Sequence, residues 1–345
     1  MGRLEALRQL SGALRGRPAR RTDWRAVLGM ANEALVTPQL HVALRGAGAL
    51  DRLPPDLRAF TEEVFVRNRE RNRRLFSQLH HAVAALNAAG IAPVLLKGAA
   101  LWASLGRPQH FDRMLRDLDL LVEPAEQVLA VEALAAAGFR VLARYDEPWR
   151  HVAAELGRAD DVGVIDLHRR PPGPLRMAGF PQARRPAEWD GVFALAPEPA
   201  AQVVMLAIHD QLHEGGYWRG DLPLRHLFDI AALAPHVDWV SVEQLAGARL
   251  TLRAVAVQVA AAHSFAGLAR DWPAAASLAV RLQHLRQLVQ LASPPMVRPL
   301  AWVAALSEAA NLLGRDRLVG DGPGGWVDRL ARFRTIARPA AAGPA

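Results

Sequence analysis

Two aspartates in one short apolar segment are the residues of this sequence best suited to chemistry. In "DLDLLVEP", Asp117 and Asp119 alternate with leucines, as residues on the two faces of a β-strand do. Their carboxylates therefore project from one face, and two like charges held that close are unfavourable unless a cation lies between them. Oxygen ligands at this spacing suit Mg²⁺ or Mn²⁺. The alternative is a pair of exposed acids at a sheet edge.

A third carboxylate strengthens the metal-site hypothesis. The segment "VGVIDLHRR" predicts a second strand, and Asp166 lies on it between two apolar residues, on the same face as His168. Three carboxylates on neighbouring strands can hold two metal ions, one that activates an attacking oxygen or nitrogen and one that binds a leaving pyrophosphate. We therefore predict that Asp117, Asp119 and Asp166 are catalytic residues and metal ligands.

The single lysine of the chain, Lys97, lies in "PVLLKGAALW". The apolar run predicts a buried strand that ends at Gly98, and a helix follows, whose N-terminal N–H groups can bind phosphate. A compact ammonium fills a different role from the planar guanidinium used at every other basic position. We predict that Lys97 and Gly98 contact a triphosphate, and the alternative is a strand-end lysine that reaches solvent.

The elements that must position these residues follow from periodicity and breakers. Apolar residues at helical spacing predict one long helix over residues 55–89, with the arginine-rich run at 67–74 as a solvated face. Strand, helix, strand, helix, strand and strand follow over residues 91–170, which predicts an α+β fold with a small α/β core and a mixed sheet. We predict a helical N-terminal flank over residues 1–90, a proline-rich connection over residues 171–198 and a helical C-terminal domain over residues 199–345.

Composition excludes several classes of function. The chain has no cysteine, and therefore no disulfide, thiolate nucleophile or cysteine-based metal site. Its 345 residues include no signal-peptide pattern and no uninterrupted apolar stretch of about 18 residues. These features predict a soluble, cytoplasmic protein. The net charge of +8 is weak evidence for a nucleic-acid partner, because the arginines are scattered along the chain.

The segments "LLKGAALW", "RMLRDLDLLVEP" and "IDLH" together resemble the motifs of the uncharacterised bacterial nucleotidyltransferase family of the polymerase-β superfamily. The later "HDQLHEGGYWRGDLPLRHLFDIA" is similar to a helical H-x-x-x-H segment of that family, followed by L-R-x-L-x-D. The residues that match these motifs are Lys97, Gly98, Arg113, Asp117, Asp119, Asp166, His168, His209, His213, Arg225 and Asp229. The sequence departs from the family pattern at Ala99, where a glycine or serine is usual, and at Arg169, where an aromatic residue is usual.

The resemblance implies a metal-dependent nucleotidyltransferase. It would transfer a nucleoside monophosphate from a nucleoside triphosphate to a hydroxyl or amine acceptor and release pyrophosphate. Mg²⁺ or Mn²⁺ is the implied cofactor, and the acceptor is a peptide, a small molecule or an RNA. The nucleotide-binding and phosphate-binding residues that the resemblance implies are Lys97, Gly98, Arg113, His168, His209 and Arg225.

Other interpretations of these residues stay open at this point. The chain could be an inactive partner protein of a peptide-modification cluster, or a toxin-type enzyme that modifies transfer RNA. His209 and His213 share a helix face, where they could bind nucleotide or acceptor, pack the helix, or hold zinc as in a metalloprotease. Arg113 could brace its loop instead of binding phosphate, and Arg225 could pair with Asp229.

Overall fold

A seven-stranded mixed sheet lies at the centre of the computed structural model, which describes residues 1–106, 112–147, 150–171, 180, 183–269 and 272–307. The strands are β1 (Val94–Leu95), β2 (Leu118–Leu121), β3 (Arg140–Arg144), β4 (Val152–Gly157), β5 (Ile165–His168), β6 (Arg184–Trp189) and β7 (Val192–Pro197). Their order across the sheet is β3-β4-β5-β2-β1-β7-β6. Strand β2 runs parallel to β5, and β1 runs antiparallel to β2 and parallel to β7. The predicted α+β class with a mixed sheet is confirmed.

Helices precede, interrupt and follow this sheet. They are α1 (Arg3–Leu14), α2 (Trp24–Glu33), α3 (Thr37–Gly46), α4 (Pro55–Ala88), α5 (Lys97–Leu105), α6 (Gln127–Ala136), α7 (Pro199–Ala207), α8 (Gly216–Arg219), α9 (Leu224–Leu233), α10 (Trp239–Ala246), α11 (Arg249–Ala266), α12 (Leu278–Ala292) and α13 (Val297–Ser307). A π-helical segment, Ile208–His213, continues α7. Residues 308–345, the end of the predicted C-terminal domain, lie outside the described residues.

Two strands that the sequence did not predict form a hairpin in the sheet. The prediction of a proline-rich connection over residues 171–198 does not hold for residues 184–197, which form β6 and β7. Asp190 and Gly191 make the turn, with φ of 45° and 82°. Asp-Gly with positive φ at both positions is the preferred two-residue hairpin turn, because its twist matches that of the strands. Strand β4 is also additional, and it forms by pairing between β3 and β5.

Two hydrophobic cores hold the described elements together. The first lies around the sheet and includes buried residues of α4, α5 and α6, with Leu75, Leu79 and Leu134 among them. The second contains buried residues of α1–α3 together with residues of α7–α13. Ser11 of α1 donates a hydrogen bond to the carbonyl of Phe265 in α11. Helices from the two ends of the described chain therefore pack as one body.

The arginine-rich run of α4 is solvated on one side only. Arg67, Arg69 and Arg73 are exposed, as predicted, whereas Asn68 and Asn72 are buried. The polar residues that point inward face the loop before β2. Among the described residues, no helix combines the length and apolarity that crossing a bilayer requires.

Candidate active site

Asp119 lies at the centre of the candidate site, on the inner strand β2. Its side chain is 2% exposed, and its Oδ1 accepts hydrogen bonds from Lys97 Nζ at 2.7 Å and from His168 Nε2 at 2.9 Å. Its backbone carbonyl accepts the N–H of Leu96 at 3.0 Å. Burial opposes ionisation, but the attraction and hydrogen bonds of Lys97 and His168 outweigh it and hold the pKa of Asp119 well below its usual range. Asp119 is therefore a buried, ionised carboxylate.

Asp166 lies directly opposite Asp119, because β2 and β5 pair in parallel register. One ligand atom each from Asp119, Asp166 and His168 all lie within 4.8 Å of one another. Burial, and then the negative charges of Asp119 and Asp117, raise the pKa of Asp166 to about 7. Asp117 is partly exposed just before β2 begins. The structure thus brings the three predicted acids into one electrostatically coupled cluster.

Lys97 is the first residue of α5, and its side chain turns back to Asp119. Its φ of 44° is a conformation that residues other than glycine rarely adopt, and such strain persists where the surrounding structure enforces it. Burial alone would lower the pKa of Lys97, but the charge and hydrogen bond of Asp119, together with Asp117 and Asp166, raise it. The raised pKa keeps the ammonium charged beside the carboxylate cluster, and the side chain as a whole stays 24% exposed.

Gly98 is required by the packing of the loop before β2. A Cβ at this position would lie 1.9 Å from Leu115 Cδ2 and 3.1 Å from Arg113 Nη1. The glycine therefore allows that loop to pack directly against the first turn of α5. Its predicted contact with phosphate can involve only its backbone.

Arg113 braces this loop by pairing with Asp229 of α9. Its Nε lies 2.8 Å from Asp229 Oδ1 and its Nη2 lies 2.7 Å from Oδ2, and both side chains are at least 95% buried. Burial opposes ionisation of Asp229, but Arg113 outweighs it and lowers the pKa of that carboxyl. Of the two alternatives for Arg113, the bracing role fits the structure. The phosphate-binding role does not fit it, since the Arg113 side chain is 3% exposed and presents almost no surface to a ligand.

The alternative that Arg225 pairs with Asp229 does not hold. Asp229 binds Arg113, and Arg225 Nη1 instead donates to the carbonyl of Met114 at 3.2 Å. The i, i+4 spacing brings two side chains to one helix face, but the bidentate partner from the loop has the better geometry. Arg225 therefore also contacts the loop that precedes the aspartates.

A row of five histidine rings extends from Asp119 into the helical part. His168 stacks on His151 at 5.2 Å between centroids, and His151 meets His213 edge-on at 5.3 Å. His213 lies 5.7 Å from His209, which lies 6.3 Å from His226. His168 is fully buried against Asp119, so it supports that carboxylate and is poorly placed for its predicted contact with phosphate.

His151 and His226 were not predicted. His151 belongs to none of the sequence motifs. Burial, and then the neighbouring positive charges of His168 and His213, lower the pKa of His151 to about 3. His226 lies within the "LRHLFD" segment that carries Arg225 and Asp229, which is a signal that could have pointed to it.

Buried Asp210 fixes the far end of the histidine row. It accepts hydrogen bonds from His226 Nδ1 at 2.9 Å, Gln258 Nε2 at 2.7 Å and His209 Nδ1 at 3.2 Å. Asp210 and His209 belong to the π-helical segment, a local widening that often occurs at functional sites. His209 and His226 line a small pocket that Lys97 also lines.

The carboxylates, together with His168, are the candidate cation site. Within the described parts of the chain, Asp119, Asp166 and His168 are the one group of three or more ligand-type residues close enough to share an ion. His209 and His213 belong to no such group there, so the zinc-protease alternative lacks a ligand set in these residues.

A family model described as "Uncharacterised nucleotidyltransferase" matches residues 20–267. The chain belongs to this family. The matched region of this nucleotidyltransferase contains the whole sheet and every candidate site residue from Lys97 to Asp229. Helices α12 and α13 lie beyond it. The resemblance inferred from the sequence motifs is confirmed.

Solved structures similar to this nucleotidyltransferase include two of ANT(2'')-Ia. One is a solution structure of this antibiotic-resistance factor, and the other is a crystal structure in complex with adenylyl-2''-tobramycin. Both are 17% identical to this chain and have a TM-score of 0.35; they cover 49% of this chain and 87% and 92% of their own chains. A TM-score of this size adds nothing to the assignment. No curated protein matches the chain.

Proposed function

We propose that this nucleotidyltransferase transfers a nucleoside monophosphate from a nucleoside triphosphate to a hydroxyl or amine acceptor and releases pyrophosphate. The observation that carries the proposal is the arrangement of Asp119 and Asp166 in direct register on parallel strands, beside Asp117 and the ammonium of Lys97. Membership of the nucleotidyltransferase family supports the reaction class.

Mg²⁺ or Mn²⁺ is the cofactor that these residues fit. Three carboxylates in one cluster repel one another, and the raised pKa of Asp166 is the consequence of that repulsion and of burial. Asp117, Asp119 and Asp166 supply the oxygen donors that these cations prefer. Bound there, a divalent cation would neutralise charge on the phosphates during transfer.

The residues of the chain would then bind substrate and move the proton. Lys97 Nζ is expected to leave Asp119 for a phosphate oxygen when nucleotide binds, and the backbone N–H of Gly98 lies in the same helix turn. The oxygen or nitrogen of the acceptor forms a bond to the α-phosphorus as the bond from that phosphorus to pyrophosphate breaks. Asp166, which faces Asp119 from β5, is the residue that we assign to take the acceptor proton.

The helical part would supply contacts to the nucleotide or the acceptor. His209 lines the pocket shared with Lys97, and Asp210 orients it from the buried side. Arg225 holds the Met114 carbonyl in the loop before the aspartates, so we assign it to the support of that loop.

Transfer of an α-phosphate label tests the proposal. The full-length protein is incubated with each α-³²P-labelled nucleoside triphosphate, Mg²⁺ and cell extract, and labelled products are separated. Label should appear on one acceptor class, and Asp117→Ala should abolish it while the matched change of an exposed acid, Asp160→Ala, should not. Equal transfer by Asp117→Ala would contradict the assigned site.

An inactive partner protein is the second candidate. Ala99, which replaces the glycine or serine usual in the family, is buried in the first turn of α5 and offers no hydroxyl to a phosphate. Calorimetry separates the two candidates, because the enzyme should bind a nucleoside triphosphate in a Mg²⁺-dependent manner. Absence of such binding would favour the partner protein.

A further inference from the structure

Helix α4 contacts both chain segments that lead into the carboxylate-bearing strands. We propose that Arg71, in the middle of this helix, is a positioning residue that fixes the distance between the strand of Asp117 and Asp119 and the strand of Asp166. The inference rests on the proposed function, because it concerns the geometry of the same cluster of acids.

The guanidinium of Arg71 makes hydrogen bonds to three backbone carbonyls. Its Nη2 donates to Arg116 at 2.9 Å and its Nε donates to Leu115 at 3.2 Å, both directly before Asp117. Its Nη1 donates to Val162, four residues before Asp166. The guanidinium thus joins two segments that are far apart in the chain. Their pairing in the sheet begins at Leu118 and Val164, which are 46 positions apart.

The position of this bridge is what makes it relevant to the cluster. The hydrogen bond from Leu118 N to Val164 O, at 2.9 Å, joins the two segments where the pairing of β2 with β5 begins. Asp117 lies between the carbonyls held by Arg71 and this hydrogen bond. Without Arg71, the segment that carries Asp117 would lose the side-chain bridge to the Val162 carbonyl, which lies immediately ahead of the sheet on the β5 side.

Neighbouring polar residues of α4 also bind these segments. Asn68 and Asn72 donate to the carbonyls of Asp112 and Arg113, at 3.2 and 2.7 Å. Gln78 donates to the carbonyl of Gly163 at 2.8 Å. Arg71, between them, bonds carbonyls of both segments.

A planar guanidinium suits this position better than an ammonium would. Its N–H groups form a fixed fork, which can satisfy carbonyls from two directions at once. Burial lowers the pKa of Arg71, while the negative charge of Asp117 opposes that effect. Arg71 therefore interacts electrostatically with the first carboxylate of the cluster as well as holding its backbone.

The test uses Mn²⁺ binding by the full-length protein, followed by electron paramagnetic resonance. Arg71→Gln should weaken binding about 10-fold, the lower end of the effect seen when a group that orients metal ligands is lost. Arg71→Lys should fall between this variant and the native protein. Arg73→Gln is the matched control on the same helix, because its side chain is 72% exposed, and it should bind Mn²⁺ as the native protein does.

Hydrogen exchange of the metal-free protein gives a second measurement that is independent of the ion. Arg71→Gln should accelerate exchange in both residues 112–118 and residues 160–166, whereas a residue that merely packs against one loop would affect one segment. Wild-type Mn²⁺ affinity in Arg71→Gln, or in Arg71→Lys if the first variant does not fold, would overturn the inference. Failure of the native protein itself to bind Mn²⁺ would overturn the proposed metal site and, with it, this role for Arg71.

Discussion

Asp119 and Asp166 lie opposite each other on adjacent strands, yet the pKa values of their carboxyl groups are shifted in opposite directions. Lys97 and His168 both bind Asp119, so its negative charge is compensated although it is buried. Asp166 is instead affected mainly by burial and by the charges of Asp119 and Asp117. Paired groups whose pKa values diverge in this way are typical of sites where one group stays ionised and the other exchanges a proton.

The raised pKa of Asp166 predicts an unusual dependence of stability on pH in the metal-free protein. The pKa of Asp166 is about 7 in the folded chain, compared with a reference value of 3.8 for an unperturbed aspartate. Between these two pH values the folded state therefore binds more protons than the unfolded state does. The contribution of Asp166 to the free energy of unfolding is therefore fully present below about pH 4 and is lost as the pH rises through about 7. Urea unfolding from pH 4.5 to 8 should show this loss in the native protein and not in Asp166→Asn. Parallel pH profiles for the two proteins would refute it.

The turn between β1 and α5 shows how elements, as distinct from single residues, shape the site. Lys97 adopts its positive φ there, and Gly98 lets the loop before β2 approach the helix. The ammonium, the helix N-terminus and Asp119 are thereby held together by backbone geometry. The site depends on this close contact between two elements as much as on its charged groups.

Adding a methyl group at Gly98 tests that contact. Gly98→Ala should lower the free energy of unfolding by about 1 to 3 kcal/mol, because its Cβ would overlap Leu115. Leu115→Ala removes the side chain that this Cβ would overlap. The double variant should therefore lose less free energy of unfolding than the two single variants lose when added together. Gly29→Ala is the control, since nothing lies within 4 Å of its Cβ and Ala favours a helix by roughly 0.5 to 1 kcal/mol. Equal losses at Gly98 and Gly29, measured by urea unfolding, would contradict the packing argument.

Local sequence patterns predicted those helices and strands whose apolar residues recur with a clear period. The strands of Asp119 and Asp166 and the long helix α4 follow from apolar periodicity, and the motif residues Lys97, Asp119 and Asp166 meet in one place. Strand β4 is weakly β-forming and depends on the strands on either side of it, so periodicity could not reveal it.

Contacts between residues far apart in the chain could not be predicted from local sequence patterns. Arg113 offered two interpretations until Asp229, 116 positions later, was placed beside it. The pairing of His151 with His168 and His213 likewise depends on how the sheet meets the helices. The hairpin of β6 and β7 is a different case, since its Asp-Gly turn was a readable signal that the nearby prolines obscured.

At the scale of the whole molecule, Arg113 and Asp229 connect the sheet to the helices that follow it. The pair is almost fully buried and bidentate, with the loop before β2 on one side and α9 on the other. Removing one partner of such a pair leaves a buried charge without compensation. The relative placement of the two parts of the chain should therefore be sensitive to this pair.

Asp229→Asn should lower the free energy of unfolding by about 3 to 5 kcal/mol, because it leaves the Arg113 charge buried without its counter-ion. The control Glu33→Gln breaks the exposed pair with Arg3 and should cost no more than about 1 kcal/mol. Urea unfolding followed by circular dichroism measures both. A loss at Asp229 as small as that at Glu33 would show that the buried pair contributes little.

The shared core of the first and last helices has a consequence for how the protein is made. The buried faces of α1–α3 pack with α7–α13, and the residues between them build the sheet. From the end of α3 at Gly46 to the start of α7 at Pro199, the ribosome must add 153 residues. At about 5 to 20 residues per second, that takes roughly 8 to 30 s. During that interval the leucines of α1–α3 lack their final partners, so the nascent chain presents an apolar surface that a chaperone can bind until the later helices emerge.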